Sequence, residues 1–212
     1  MARPKPESAL RFPLSTIFGN EANVRVMREL SLHGGQLSVG TLINRTKISR
    51  PPILASLATL TSFQIVTEIG NGYARLFSLN RGSPFFASVQ TLFETEERRF
   101  ADILAAVKEC AALFGDKLVA AWIFGSVARG EDSASSDLDV ALIADASHIE
   151  TIQNGSIDFL AAKGEQLSFS PSINTLSVTD LKRLRQSDDP LWKAFLNEAL
   201  VVLGPRPESI TV

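Results

Sequence analysis

The residues best suited to chemistry lie between positions 125 and 139. The stretch opens Gly125-Ser126-Val127-Ala128-Arg129-Gly130, passes through a polar segment at 131–136 and closes Asp137-Leu138-Asp139 before an apolar run, 140–144. Side chains alternate along a strand, so Asp137 and Asp139 at i and i+2 project from one face while Leu138 and Val140 point the other way. Two carboxylates on one face repel unless a cation lies between them. Magnesium (Mg2+) is the hard, oxygen-seeking ion that such a pair holds together with phosphates. At the other end of the stretch Gly125 lets a phosphate approach the backbone, and Ser126 offers an amide and a hydroxyl where a helix should open, with its dipole behind them. Arg129 has two readings that stay open here: contact with phosphate, or anchoring of the helix after Ser126.

Those residues need rigid elements on either side. Residues 118–124 are apolar and bounded by Lys117 and Gly125, the pattern of a strand buried on both faces, and a second buried strand begins with the two aspartates. Residues 172–178 (Ser-Ile-Asn-Thr-Leu-Ser-Val) read as a further strand leading into a capped helix at 179–186. Ser187-Asp188-Asp189-Pro190 starts a helix carrying Leu191, Trp192, Phe195 and Leu196, with Trp192 read as core, and 200–203 is a short apolar edge strand.

In combination, Gly125, Ser126, Arg129, Gly130, Ser136, Asp137 and Asp139 resemble the DNA polymerase β-type nucleotidyltransferase superfamily, most closely its minimal nucleotidyltransferases. The resemblance spans roughly residues 100–203. It implies that Gly125 and Ser126, with Arg129 as a further candidate, bind a nucleoside triphosphate, ATP in the first instance, as substrate or effector. It also implies that Asp137 and Asp139 are the Mg2+ ligands and the catalytic acids. Transferring members carry a third carboxylate on a neighbouring strand, and here the matching position is Asn174. An amide oxygen can ligate a metal but cannot act as a base. Asp158 and Glu165 precede that strand and Asp180 follows it. Minimal nucleotidyltransferases also resemble one half of toxin–antitoxin pairs, which implies a small helical protein as a possible partner.

The first part of the chain differs in charge. Residues 1–83 hold ten Lys/Arg against four Asp/Glu, a net +6, whereas 84–212 hold eleven against nineteen, a net −8. A basic region suits a polyanion. After a basic, Pro-rich opening (Arg3, Pro4, Lys5, Pro6), helical spacing starts near Glu21 and stops at Gly34-Gly35, with His33 favourably placed at the helix C-terminus. Ser38 can cap a second helix, Thr46-Lys47-Ile48 is a tight turn, and Ser49 can cap a third helix, 49–62, in which Pro51-Pro52 fit the first turn. Runs at 64–69 and 73–79 meet across Gly70-Asn71-Gly72, a hairpin signal. Three helices and a hairpin in this order resemble the winged helix-turn-helix domain of bacterial transcriptional regulators. That resemblance implies double-stranded DNA as partner, with the 49–62 helix in the major groove. It implies contacts from Arg45, Lys47, Ser49, Arg50, Asn71 and Arg75, with Ser56, Thr59 and Ser62 also available to base edges.

Between the two parts, residues 84–114 carry apolar side chains at steps of three and four, the pattern of a long connecting helix, in one piece or with a break. Cys110 falls within this pattern as a core filler. The helix offers a surface for a homodimer.

Composition sets the outer bounds. At 212 residues, 45% hydrophobic and 21% charged, the chain is globular rather than disordered or collagenous. One Cys and two His argue against a zinc site or an internal disulfide. With no membrane span or leader pattern, the expected compartment is the cytoplasm. The expected fold class is α+β: a winged helix-turn-helix domain at 1–83, a connecting helix at 84–114, and a nucleotidyltransferase-type mixed β-sheet with helices at 115–212. Two functions fit. One is a DNA-binding transcriptional regulator whose second domain binds Mg-nucleotide. The other is an active nucleotidyltransferase moving a nucleoside monophosphate onto a protein or small-molecule hydroxyl, with the DNA-binding domain for autoregulation.

Overall fold

A computed structural model describes residues 9–11, 13–71 and 75–210. The chain divides into two compact units, Met1–Glu97 and Arg98–Val212. The basic opening at residues 3–6 and the hairpin residues Gly72 and Tyr73 lie outside the described residues.

The first unit contains α1 (Pro13–Phe18), α2 (Glu21–His33), β1 (Leu37–Ser38), α3 (Val39–Thr46), α4 (Arg50–Ser62), β2 (Val66–Ile69) and β3 (Leu76–Leu79). Local chemistry sets most of these limits. The Asn20 side chain accepts from the Ala22 N–H at 2.8 Å, and Gly34 ends α2 at φ 68°. Ser38 accepts from the Thr41 N–H at 3.1 Å, and Lys47 closes α3 at φ 58°. Ser49 departs from expectation: it occupies the N-cap position of α4 but its side chain makes no capping bond. β2 and β3 pair antiparallel, Val66 opposite Leu79 and Ile69 opposite Leu76, and β1 extends the sheet in the order β1-β3-β2. Met27, Leu30, Leu42, Ile53, Leu57, Leu60 and Phe77 form its core, joined by Val89 and Phe93. α1 and β1 have too few residues to show a period in the sequence.

α5 (Phe86–Ala112) is continuous, and the unit boundary falls inside it. The second unit goes on through β4 (Leu118–Phe124), α6 (Gly125–Arg129), β5 (Leu138–Ala144), α7 (Ile149–Leu167), β6 (Pro171–Ser177), α8 (Val178–Gln186), α9 (Pro190–Glu198) and β7 (Leu200–Leu203). Its sheet is mixed, in the order β6-β5-β4-β7. β5 and β6 are parallel, and the other pairs antiparallel. Parallel neighbours need a crossover, and α7 supplies it. The sequence reading did not anticipate α7, because its buried stripe is Ile152, Ser156, Leu160 and Gly164. Ser and Gly at alternate turns dilute the hydrophobic period.

The sheet has a core on each face. Ile103, Val107, Cys110, Val140, Leu142, Ile152 and Leu160 pack on one, with burial pushing the Cys110 thiol up and leaving it a structural apolar group. Trp122, Phe124, Ala141, Ile143, Leu181, Trp192 and Phe195 pack on the other. Among the described residues no helix is long and apolar enough to cross a membrane.

Candidate nucleotide and metal site

The end of β4 meets the start of β5, with Phe124 opposite Asp139. Asp139 is the second residue of β5 and half-buried. Asp137 stands one residue before the strand and is exposed, so the strand takes in one of the two aspartates rather than both. Gly125, the first residue of α6, has φ 75°. A Cβ added there would collide with Asp139 Oδ2 and come within 3.2 Å of its Cγ. Glycine is therefore needed twice, for the left-handed backbone and for the carboxylate lying against its Cα. Among the described residues neither the Asp137 nor the Asp139 side chain has a hydrogen bond or an ion pair. Two neighbouring carboxylates without counter-charge, both hard oxygen donors, fit a divalent cation such as Mg2+.

The parallel register decides what else faces that point. Asp139 pairs with Ser172, and Ala141 with Asn174. Paired residues share a face, so the β6 side chains beside the aspartates are Ser172 and, one step further along, the half-buried Asn174. β6 contributes no carboxylate to that face. The remaining nearby acids are engaged or elsewhere. Asp180 accepts from the Ser177 N–H at 3.0 Å and the Ser177 hydroxyl at 2.6 Å and pairs with Arg183. The two Ser177 bonds, more than Arg183, hold its carboxyl below the usual range. Asp158 and Glu165 are exposed on α7, which packs on the opposite face of the sheet. Among the described residues no group of three or more His, Cys, Asp or Glu side chains forms a metal cluster.

The Gly-Ser turn is fastened by a residue the sequence reading missed. Glu198, the last residue of α9, accepts from the Gly125 N–H at 3.1 Å and from Arg129 Nη1 at 2.7 Å, both on Oε2. Arg129 Nε also donates to Glu131 at 2.8 Å. These partners, Glu131 foremost, push the Arg129 guanidinium further up. Arg129 is thus tied down within the protein, the anchoring arrangement. One signal for Glu198 was legible: an acid in the last turn of a helix opposes the helix dipole and must find its donors elsewhere. Ser136 has a local role, accepting from the Ser133 N–H at 2.9 Å in the loop before Asp137.

In the first unit, Arg45, Lys47, Ser49 and Arg50 are exposed and lie together at the α3–α4 turn, and Asn71 is exposed on the hairpin. Arg75 borders a groove of about 520 Å³ with Leu54, Ala58 and Ser62 of α4. Two of these cations are paired: Arg45 Nε with Glu29 at 2.5 Å and Arg75 Nε with Glu68 at 2.5 Å, the latter guanidinium also lying over the Phe77 ring. Ser56, expected at the surface, is 2% exposed. Ser62 donates to the Thr59 carbonyl. The open face of α4 is therefore Arg50, Pro51, Pro52, Ala55, Ala58 and Ser62.

Residues 108–205 match the model of the family described as Polymerase beta, Nucleotidyltransferase, and form a domain of that type. No curated protein matches the chain. Two solved structures are similar in part. A toxin–antitoxin with AMP-PNP is 16% identical, with 50% of this chain and 76% of that one covered and a TM-score of 0.34. NadR in complex with 4-hydroxyphenylacetate is 20% identical, with 49% and 86% covered and a TM-score of 0.33.

Proposed function

We propose that the second unit binds a magnesium–nucleoside triphosphate, with ATP the first nucleotide to test. The first unit is a winged helix-turn-helix domain on double-stranded DNA, and the chain is a cytoplasmic transcriptional regulator with a nucleotide-responsive module. The observation that carries this reading is the Asp139 carboxylate against Gly125, without a side-chain partner among the described residues, as is Asp137 two positions before it. Asp137 and Asp139 would hold the ion, which neutralises phosphate charge when bound. Gly125 keeps the turn free of a side chain, and Ser126 offers its amide and hydroxyl to phosphate oxygens. With Ser172 and Asn174 at the matching positions, the neighbouring strand supplies no carboxylate able to take a proton from an acceptor hydroxyl. This favours nucleotide binding over transfer.

The DNA-binding part rests on the +6 charge of residues 1–83 and on the exposed Lys47 and Arg50. Few donors on the open face of α4 reach base edges, so phosphate contacts supply most of the affinity. Two-fold operators match dimeric regulators, and a homodimer belongs to this proposal, as does a small helical protein partner.

The retained acid pair favours one further reading, a working transferase acting on a protein or small-molecule hydroxyl. Calorimetric titration of ATP, GTP, CTP and UTP analogues, with and without Mg2+, tests the main reading. Magnesium-dependent binding lost in Asp137→Asn with Asp139→Asn supports it, and no binding of any nucleotide defeats it. Metal-dependent nucleotide transfer by the wild-type protein would favour the second reading.

A further inference from the structure

We infer that Glu198 is the positioning residue of the nucleotide turn, its carboxylate pinning the Gly125 amide and the Arg129 guanidinium to one oxygen. This deepens the nucleotide-binding reading and rests on it. α6 is five residues long and has no side-chain cap of its own, so its first amides need a partner from another element. Glu198 provides one. It reaches α6 from the end of α9, which is itself fixed to β4: the Phe195 ring lies 5.4 Å from Trp122 and 4.9 Å from Phe124, edge-on to the latter. Just beyond, Leu200 of β7 pairs with Ile123 of β4. The carboxylate is thus carried by a rigid arm, with its side chain 20% exposed.

The pinned glycine is the one against whose Cα the Asp139 carboxylate lies. Glu198 therefore holds the amide of the same residue that Asp139 touches, so the placing of Ser126 against Asp139 is coupled to Glu198 through that shared residue. A charge-assisted bond to an amide and a guanidinium on a single oxygen is strong, and losing Glu198 removes both at once. The opposite role, in which Glu198 competes with phosphate for the same donors, predicts the opposite sign and is separable by experiment.

The test measures Mg-ATP affinity and Gly125 amide exchange, by nuclear magnetic resonance, in the full chain for wild type, Glu198→Ala and Glu198→Gln. The expected result is that Glu198→Ala weakens Mg-ATP by about tenfold or more and loses Gly125 protection. Glu198→Gln keeps an acceptor for the amide, loses the charge for Arg129, and should fall between the two. That graded rescue is what a role in overall stability alone would not produce, and the glutamine variant serves if the alanine variant does not fold. Unchanged or tighter Mg-ATP binding in Glu198→Ala overturns the inference. If wild type binds none of the four magnesium–nucleotides, the functional reading fails first, and exchange decides the pinning separately: unchanged Gly125 protection in the variants overturns it, and faster exchange upholds it.

Discussion

The charged residues singled out in the two units are partnered differently. In the first, Arg45 is matched by Glu29 and Arg75 by Glu68, each pair partly open to solvent. In the second, the side chains of Asp137 and Asp139, two positions apart, have no counter-charge among the described residues. An exposed ion pair contributes little to stability and exchanges readily for another anion. Carboxylates with no counter-charge of their own offer hard oxygen donors to a divalent cation. The difference teaches that the units should answer to different ions: the first to bulk salt, the second to a divalent cation at low concentration.

The sharpest way to break that contrast is to fill the space at Gly125. Gly125→Ala forces a side chain into φ 75° and against Asp139, and should cost about 3 kcal/mol in denaturant unfolding. A loss under about 1 kcal/mol would mean that Asp139 swings away freely and that the acid pair is not a built feature. Next in size is the response to Mg2+. At ten times its dissociation constant Mg2+ should stabilise the wild type by about 1.4 kcal/mol. Asp137→Asn with Asp139→Asn should abolish the gain, while sodium at equal ionic strength should not reproduce it.

A smaller effect tests an acid that is already partnered. Asp180 is held below the ordinary carboxylate range by Ser177, so its contribution is complete above about pH 4 and disappears as pH falls through the lowered value. Ser177→Ala should cost about 1 kcal/mol at neutral pH. The gap between wild type and Asp180→Asn should close as the solution is acidified below pH 4, seen by unfolding at a series of pH values. A gap independent of pH would contradict the assignment. The smallest effect belongs to the basic unit. Arg50→Ala with Arg75→Ala should weaken DNA binding and reduce the logarithmic salt slope by up to about two. Glu68→Gln, which releases Arg75, should strengthen binding by about twofold. A salt-insensitive complex, or none, ends the DNA-binding proposal.

Legibility followed the locality of the physics. β4 was readable to the residue because both its faces are buried and every position in the run is apolar. α2 and α3 were readable from the helical spacing after Glu21, from Gly34 and from Ser38, whose end signals act within a few positions. α7 was not, since Ser156 and Gly164 fill its buried stripe through close packing rather than hydrophobicity. Ser56 misled in the same way: a serine on α4 reads as surface, yet helix packing buries it.

The candidate site divides along the same line. The spacing from Gly125 through Ser126 to Asp137 and Asp139 is written into adjacent residues, because strand alternation and the turn at a glycine are properties of the local backbone. The placing of Ser172 rather than Asn174 directly beside Asp139 depends on the register of two parallel strands joined by an unforeseen helix. The grip of Glu198 on Gly125 bridges 73 positions and exists only because β7 returns to pair with β4. Chain-local geometry names the chemical groups; sheet order, a product of non-local packing, selects the partners each of them meets.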